Sequence, residues 1–139
     1  MTAKPLNILL VEDDVVDVMN VRRAFHKIGV ACPLFLAGNG IEALEMLRGG
    51  GVPRERRLIL LDLNMPRMNG LEFLRELRGD EELGGTPVVV LTTSDDDRDR
   101  TEAFRLNVAG YILKPVTFAR FCEAMAALNH YWTLVEMPQ

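Results

Sequence analysis

The chain has few residues able to make a transition-metal site: two cysteines, Cys32 and Cys122, and two histidines, His26 and His130. Their spacing suits neither a zinc site nor a disulfide framework and fits reduced thiols in a cytoplasmic protein. An excess of positive charge is also missing, since the formal net charge is -4 and lysines and arginines are scattered among acids. With no basic stripe to meet a phosphate backbone, no nucleic-acid binding is expected. Long hydrophobic runs are absent as well. The opening MTAKPLNILLVEDD holds an apolar stretch too short for a signal peptide, acids interrupt it at once, and nothing later reaches membrane-spanning length. No membrane partner is expected.

What is present suits one globular domain: 139 residues, 48% hydrophobic and 26% charged. Apolar runs at Leu6–Val11, Leu34–Ala37, Leu58–Leu61, Val88–Leu91 and Tyr111–Leu113 have strand length, and most show no alternation, as in strands covered on both faces. Helical spacing lies between them, in Val18, Val21, Phe25 and Ile28 and again in Leu71, Leu74 and Leu77. Asn39 with Glu42, and Asn69 with Glu72, have the spacing of helix-capping pairs, while Gly29 and Gly49 stand where helices should stop. Alternating strand and helix with right-handed crossovers predicts an α/β fold, a parallel sheet with helices on both faces. Ligands of such sheets bind at the carboxyl ends of the strands.

The residues at those ends are therefore the informative ones. Glu12, Asp13 and Asp14 follow the first strand, Asp62 the third, Thr92, Thr93 and Ser94 the fourth, and Lys114 the fifth. Each has an ordinary reading: an N-cap cluster, a turn acid, a strand threonine, a solvated lysine before Pro115. Their convergence on one edge is better explained by chemistry. Gathered carboxylates repel one another unless a cation compensates, and hard oxygen ligands select magnesium. A hydroxyl and an ammonium beside them suit phosphoryl oxygens, which makes Asp62 the candidate nucleophile of a phosphoryl-transfer site.

VEDD, LLDLNMPRMNG, VVVLTTS and YILKP, in this order and spacing, resemble the motifs of the response-regulator receiver domain of two-component signalling, from Leu6 to about Asn129. The resemblance implies a flavodoxin-like, doubly wound, five-stranded parallel sheet of order 2-1-3-4-5. It divides the chain into a tail over 1–5, a receiver domain over 6–129 and a C-terminal arm over 130–139. It implies Asp62 as acceptor of a phosphoryl group from a sensor histidine kinase and Thr92 and Lys114 as the phosphoryl-binding pair. Magnesium would be held by Asp13 and Asp62 directly, by Glu12 through water and by the Asn64 carbonyl. Tyr111 matches the switch aromatic that moves inward with Thr92. Such a protein catalyses only its own phosphorylation and dephosphorylation, and passes the signal to a downstream protein or phosphotransfer partner. Two residues depart from the pattern: Glu12 stands where aspartate is commoner, and Thr93 where the family prefers a very small residue.

The ending HYWTLVEMP, with DLNMPRMNG and TTS, resembles single-domain regulators that accompany bacterial phytochrome kinases, many of which form homodimers through the final helix and an exchanged arm. Phe121, Met125, Leu128, Tyr131, Trp132 and Leu134 are the expected interface. Two rival readings have sequence support. GNGIEA, Gly38 to Ala43, fits a dinucleotide-binding pattern, although its capping pair explains it without a ligand. A phosphohydrolase with an aspartyl-phosphate intermediate would need the same Asp, Thr, Lys and magnesium, but the DLN sequence lacks the second acid expected in those enzymes.

Overall fold

The computed structural model of the chain describes residues 5–137. Its elements run β1 (Asn7–Val11), α1 (Val15–Lys27), β2 (Leu34–Ala37), α2 (Gly40–Arg48), β3 (Arg57–Leu61), α3 (Gly70–Gly79), β4 (Val88–Thr92), α4 (Asp97–Arg105), β5 (Gly110–Leu113) and α5 (Phe118–Leu134). Every strand pairing is parallel and the order is β2-β1-β3-β4-β5, the flavodoxin-like arrangement expected. Apart from Pro5, the expected tail over 1–5 lies outside the described residues, as do the last two residues of the arm.

The uninterrupted apolar runs become intelligible in the sheet. Successive strand side chains point to opposite faces, so a central strand needs apolar residues at every position. Leu9, Val11, Ile59, Leu61, Val88 and Val90 face one core with Leu44, Leu47, Phe73, Leu74 and Leu77 of α2 and α3. Ile8, Leu10, Leu58, Leu60, Val89 and Leu91 face the other, against Val21 and Phe25 of α1 and Met125 and Leu128 of α5. Burial of this kind contributes roughly 2 kcal/mol per large side chain and fixes the level of each strand against its neighbours.

Asn69 and Glu72 form a complete capping box at the start of α3. At α2 the cap is partly rearranged: Asn39 accepts from the Glu42 amide at 2.9 Å, while the Glu42 carboxylate takes the Gly38 amide at 3.1 Å. The Gly38, Gly40, Glu42 and Ala43 amides of the GNGIEA segment are thus engaged within the chain. A β-carbon on Gly40 would lie 2.7 Å from Met68 and 2.9 Å from Phe73, so close helix packing accounts for that glycine without a dinucleotide.

Arg78 of α3 ties together two loops that no sequence pattern connects. Its guanidinium donates to the carbonyls of Gly84 at 2.8 Å, Thr86 at 2.7 Å, Leu106 at 2.7 Å and Asn107 at 3.1 Å. The first pair precedes β4 and the second follows α4. One side chain therefore sets the entry to β4 and the approach to β5.

Helix α5 continues past residue 129, where the receiver domain was expected to give way to the arm, and ends at Leu134. Phe121, Met125, Leu128 and Trp132 are buried in their own domain, and Val135 and Met137 pack on the same cluster. The Trp132 carbonyl accepts a 2.7 Å bond from Arg56, which holds the end of the helix against the start of β3. Partner-facing roles for those four residues are therefore corrected: helical periodicity aims them at the sheet. Tyr131, 56% exposed, and Leu134, 71% exposed, face outward.

Candidate functional site

Strand register builds the site. Val11 of β1 pairs with Leu61 of β3, and the Asp62 amide donates to the Val11 carbonyl at 3.0 Å, so Glu12 and Asp62 leave the sheet at the same level. Thr92 closes β4 opposite Leu113, and the Lys114 amide donates to the Thr92 carbonyl at 2.8 Å. Four strand tips are brought to one edge by pairings that the apolar runs dictate.

Asp62 is buried, and its Oδ1 accepts from the Thr92 hydroxyl at 2.7 Å and from the Asn64 amide at 3.3 Å. Its Oδ2 lies 3.9 Å from the Lys114 ammonium, an ion pair too long for a hydrogen bond. Lys114 donates instead to Glu12 at 3.2 Å and to Asp17 at 2.6 Å. Burial pulls the lysine's pKa down, but Asp17, Asp62 and Glu12 outweigh it and hold the ammonium above its ordinary value. The loop beyond Asp62 is fixed by Gly70, where a β-carbon would stand 2.6 Å from the Asp62 carbonyl oxygen.

Carboxylate oxygens of Glu12, Asp13 and Asp62 lie within 4.8 Å of one another. Glu12 and Asp62 are buried and Asp13 is exposed, so a cation entering from solvent would reach all three. Burial first, then the neighbouring Asp62 charge, pushes the Glu12 carboxyl up to about 8 against the opposing pull of Lys114. Burial and the Asp62 charge together outweigh the single ammonium of Lys114, and hard oxygen donors suit a divalent ion. Asn64 is at the exposed rim, with its amide rather than its side chain turned to Asp62. Thr93 also lies exposed at the mouth.

A pH dependence follows. The Glu12 value in the folded state is above the ordinary 4.5, so folding favours the neutral form; that stabilisation is complete below about 4.5 and is lost as pH rises through about 8. Urea titrations of the metal-free protein should show falling stability across that interval, and a divalent cation should diminish the fall. A flat profile would mean that Glu12 is not held in its neutral form.

Tyr111 on β5 is half-buried, and its hydroxyl donates to the Ser94 carbonyl at 2.9 Å. Ser94 in turn donates its amide to the Thr92 hydroxyl oxygen at 3.3 Å. The Arg100 guanidinium lies 5.6 Å over the tyrosine ring and pairs with Asp95 and Asp97. The hydroxyl beside Asp62 is thus connected through one loop to the face formed by α4 and β5.

Asp17 is the site residue that motif reading missed. Its place in the first turn of α1 looks like an ordinary helix-start acid, and its amide donates to the capping Asp14 carboxylate at 3.3 Å. One signal was available: Asp17 continues the core stripe of Val21, Ala24 and Phe25, where an apolar residue would normally sit.

A doubly wound sheet with acids, a hydroxyl and a lysine at its carboxyl edge defines a regulatory domain of the receiver type. The chain belongs to the response regulator receiver domain family, whose model matches residues 8–126. It is 37% identical over 130 residues to a probable methanogenesis regulatory protein, FilR2, of Methanothrix harundinacea, covering 92% of this chain and 84% of that one. It is 33% identical over 132 residues to response regulator Rcp1 of Synechocystis, covering 92% and 89%. The Mn2+-bound structure of Rcp1 superposes with a TM-score of 0.83 at 32% identity, over 97% of this chain and 100% of that one. The phosphorylated cyanobacterial phytochrome response regulator RcpA gives 0.86 at 31% identity, over 98% and 100%. Among the described residues no helix is long and apolar enough to cross a membrane.

Proposed function

We propose that this receiver accepts a phosphoryl group on Asp62 from the phosphohistidine of a sensor histidine kinase, in a reaction that needs magnesium. The observation carrying this reading is the placement of buried Asp62 between the Thr92 hydroxyl, 2.7 Å away, and the Lys114 ammonium, 3.9 Å away, beside the Glu12 and Asp13 carboxylates. A carboxylate oxygen of Asp62 attacks phosphorus as the phosphorus–nitrogen bond breaks, and the imidazole nitrogen keeps the electron pair. Lys114 and Thr92 supply donors to the equatorial oxygens, where charge accumulates. Glu12, Asp13, Asp62 and the Asn64 carbonyl would hold the ion, which when bound neutralises charge on the carboxylates and the phosphoryl group.

Once Asp62 carries the acyl phosphate, Thr92 turns to the new group. The loop through Ser94 then shifts the hydrogen bond of Tyr111 and reweights conformations of the α4–β5 face. Output passes to a downstream protein or a further phosphotransfer partner in the cytoplasm. A phytochrome-type kinase is the favoured donor, supported by the likeness to RcpA. Incubation with acetyl phosphate and magnesium should add the mass of one phosphoryl group, and chelation should prevent it. A protein that stays unmodified by both acetyl phosphate and a phosphorylated kinase would refute the reading.

A homodimer through the outer face of α5 belongs to the same proposal, now carried by exposed Tyr131 and Leu134. Sedimentation should show a paired parent chain and loss of pairing in a variant carrying Tyr131→Asp and Leu134→Asp. Pairing that survives both charges would exclude this face.

A further inference from the structure

We infer that Asp17 is a positioning residue for the phosphoryl site, the counter-ion that keeps Lys114 beside Asp62 when a divalent cation occupies the acid cluster. The inference rests on the phosphoacceptor reading above and adds a residue outside the phosphoacceptor, metal and lysine set.

Lys114 is nearly enclosed, its side chain only 10% exposed, and its shortest contact is Asp17 Oδ2 at 2.6 Å rather than Glu12 at 3.2 Å or Asp62 at 3.9 Å. An ammonium has three N–H donors. Two are engaged by Asp17 and Glu12, and Asp62 is beyond hydrogen-bond reach, which leaves one donor for an oxygen arriving on Asp62. The anchor of this arrangement comes from α1, far from Lys114 in sequence and on a different element from every other group in the site.

The three acids around Lys114 are not equivalent. Glu12 and Asp62 share the 4.8 Å cluster with Asp13, so their charge is drawn to a divalent ion, which in turn repels a nearby ammonium. Asp17 does not belong to that cluster and stays available to the lysine. Its carboxylate is about one-third exposed and, among the described residues, its hydrogen-bond partner is Lys114 alone. The helix stripe of Val21, Ala24 and Phe25 fixes the phase of α1 and so the direction from which Asp17 reaches Lys114. Without Asp17 the lysine would face a divalent cation with no free anion beside it and would turn toward solvent.

The test is binding of beryllofluoride, a phosphoryl mimic, to the magnesium-loaded full chain, together with acetic anhydride labelling of Lys114 relative to Lys27 in the magnesium-loaded chain without beryllofluoride. Asp17→Asn should weaken beryllofluoride binding about tenfold, equivalent to one charge-assisted hydrogen bond. In a Lys114→Met background the same substitution should do nothing, because the effect runs through the lysine. Asp17→Glu should recover part of the loss, and Asp17→Asn should make Lys114 several-fold more reactive to labelling. Unchanged binding in Asp17→Asn, or an equal loss with and without Lys114, overturns the inference. If the parent chain binds no beryllofluoride, the phosphoacceptor reading fails, and the labelling decides by itself whether Asp17 holds the lysine.

Discussion

Asp62→Asn is expected to abolish phosphorylation outright while making the metal-free protein more stable. Loss of the reaction follows from chemistry: an amide oxygen at this position is a poor nucleophile, and the other acids, Glu12 and Asp13, do not sit between Thr92 and Lys114. The gain in stability follows from crowding. Asparagine keeps an oxygen to accept from Thr92, now 2.7 Å from Asp62, but removes one charge from a buried like-charge cluster. The ion pair given up is long, 3.9 Å, and Lys114 retains Asp17 and Glu12. A stabilisation of about 1 kcal/mol is the expected scale, the common trade between function and stability at such sites. It should grow as pH rises through about 8, where Glu12 ionises beside Asp62 in the parent. Urea titration in a chelator, with intact mass after acetyl phosphate treatment, reads both effects. A variant that gained phosphate as the parent does would remove Asp62 from its role; one less stable than the parent would show that the acids are not in repulsion.

Arg78→Ala is expected to destabilise the fold by about 3 kcal/mol without touching the acids, as loss of several charge-assisted hydrogen bonds, three of them to carbonyls of half-buried residues, requires. The four carbonyls of Gly84, Thr86, Leu106 and Asn107 would each lose the guanidinium, and among the described residues no other side chain donates to all of them. Arg78→Lys should recover only a minor part, since a single ammonium cannot span two loops that a planar guanidinium bridges. Because these loops lead into β4 and β5, the strands that end at Thr92 and Lys114, the variant should also weaken binding of a phosphoryl mimic. Denaturation with an unchanged m-value and a lower midpoint is the expected record. A loss below about 1 kcal/mol would mean that water satisfies the carbonyls as well as arginine does.

Much of the architecture was legible because it rests on local or periodic signals. Runs such as Leu58–Leu61 and Val88–Leu91 show no alternation, and only strands covered on both faces need that composition. The expected strands match the observed ones to within a residue at each end, and the Asn69–Glu72 box forms as its spacing implied. The residues after each strand could be placed on a common edge before any contact was known, because parallel strands joined by crossovers must all end on the same side. The α5 stripe was misread for a related reason. Periodicity shows that Phe121, Met125, Leu128 and Trp132 lie on one face, but not whether the sheet or a second molecule covers it, and here the sheet does.

By itself, then, the sequence determined the alternation of strand and helix, the parallel sense of the sheet and the chemical types gathered at its edge, since hydrophobic spacing and capping act over a few residues; the strand order came from the family resemblance. Only the tertiary structure decided that Asp17 holds Lys114, that Arg78 joins two loops, and that of the six apolar and aromatic α5 residues expected at an interface only Tyr131 and Leu134 face outward. Those are contacts between residues far apart along the chain. They depend on where rigid elements come to rest against one another, and no local pattern encodes that distance.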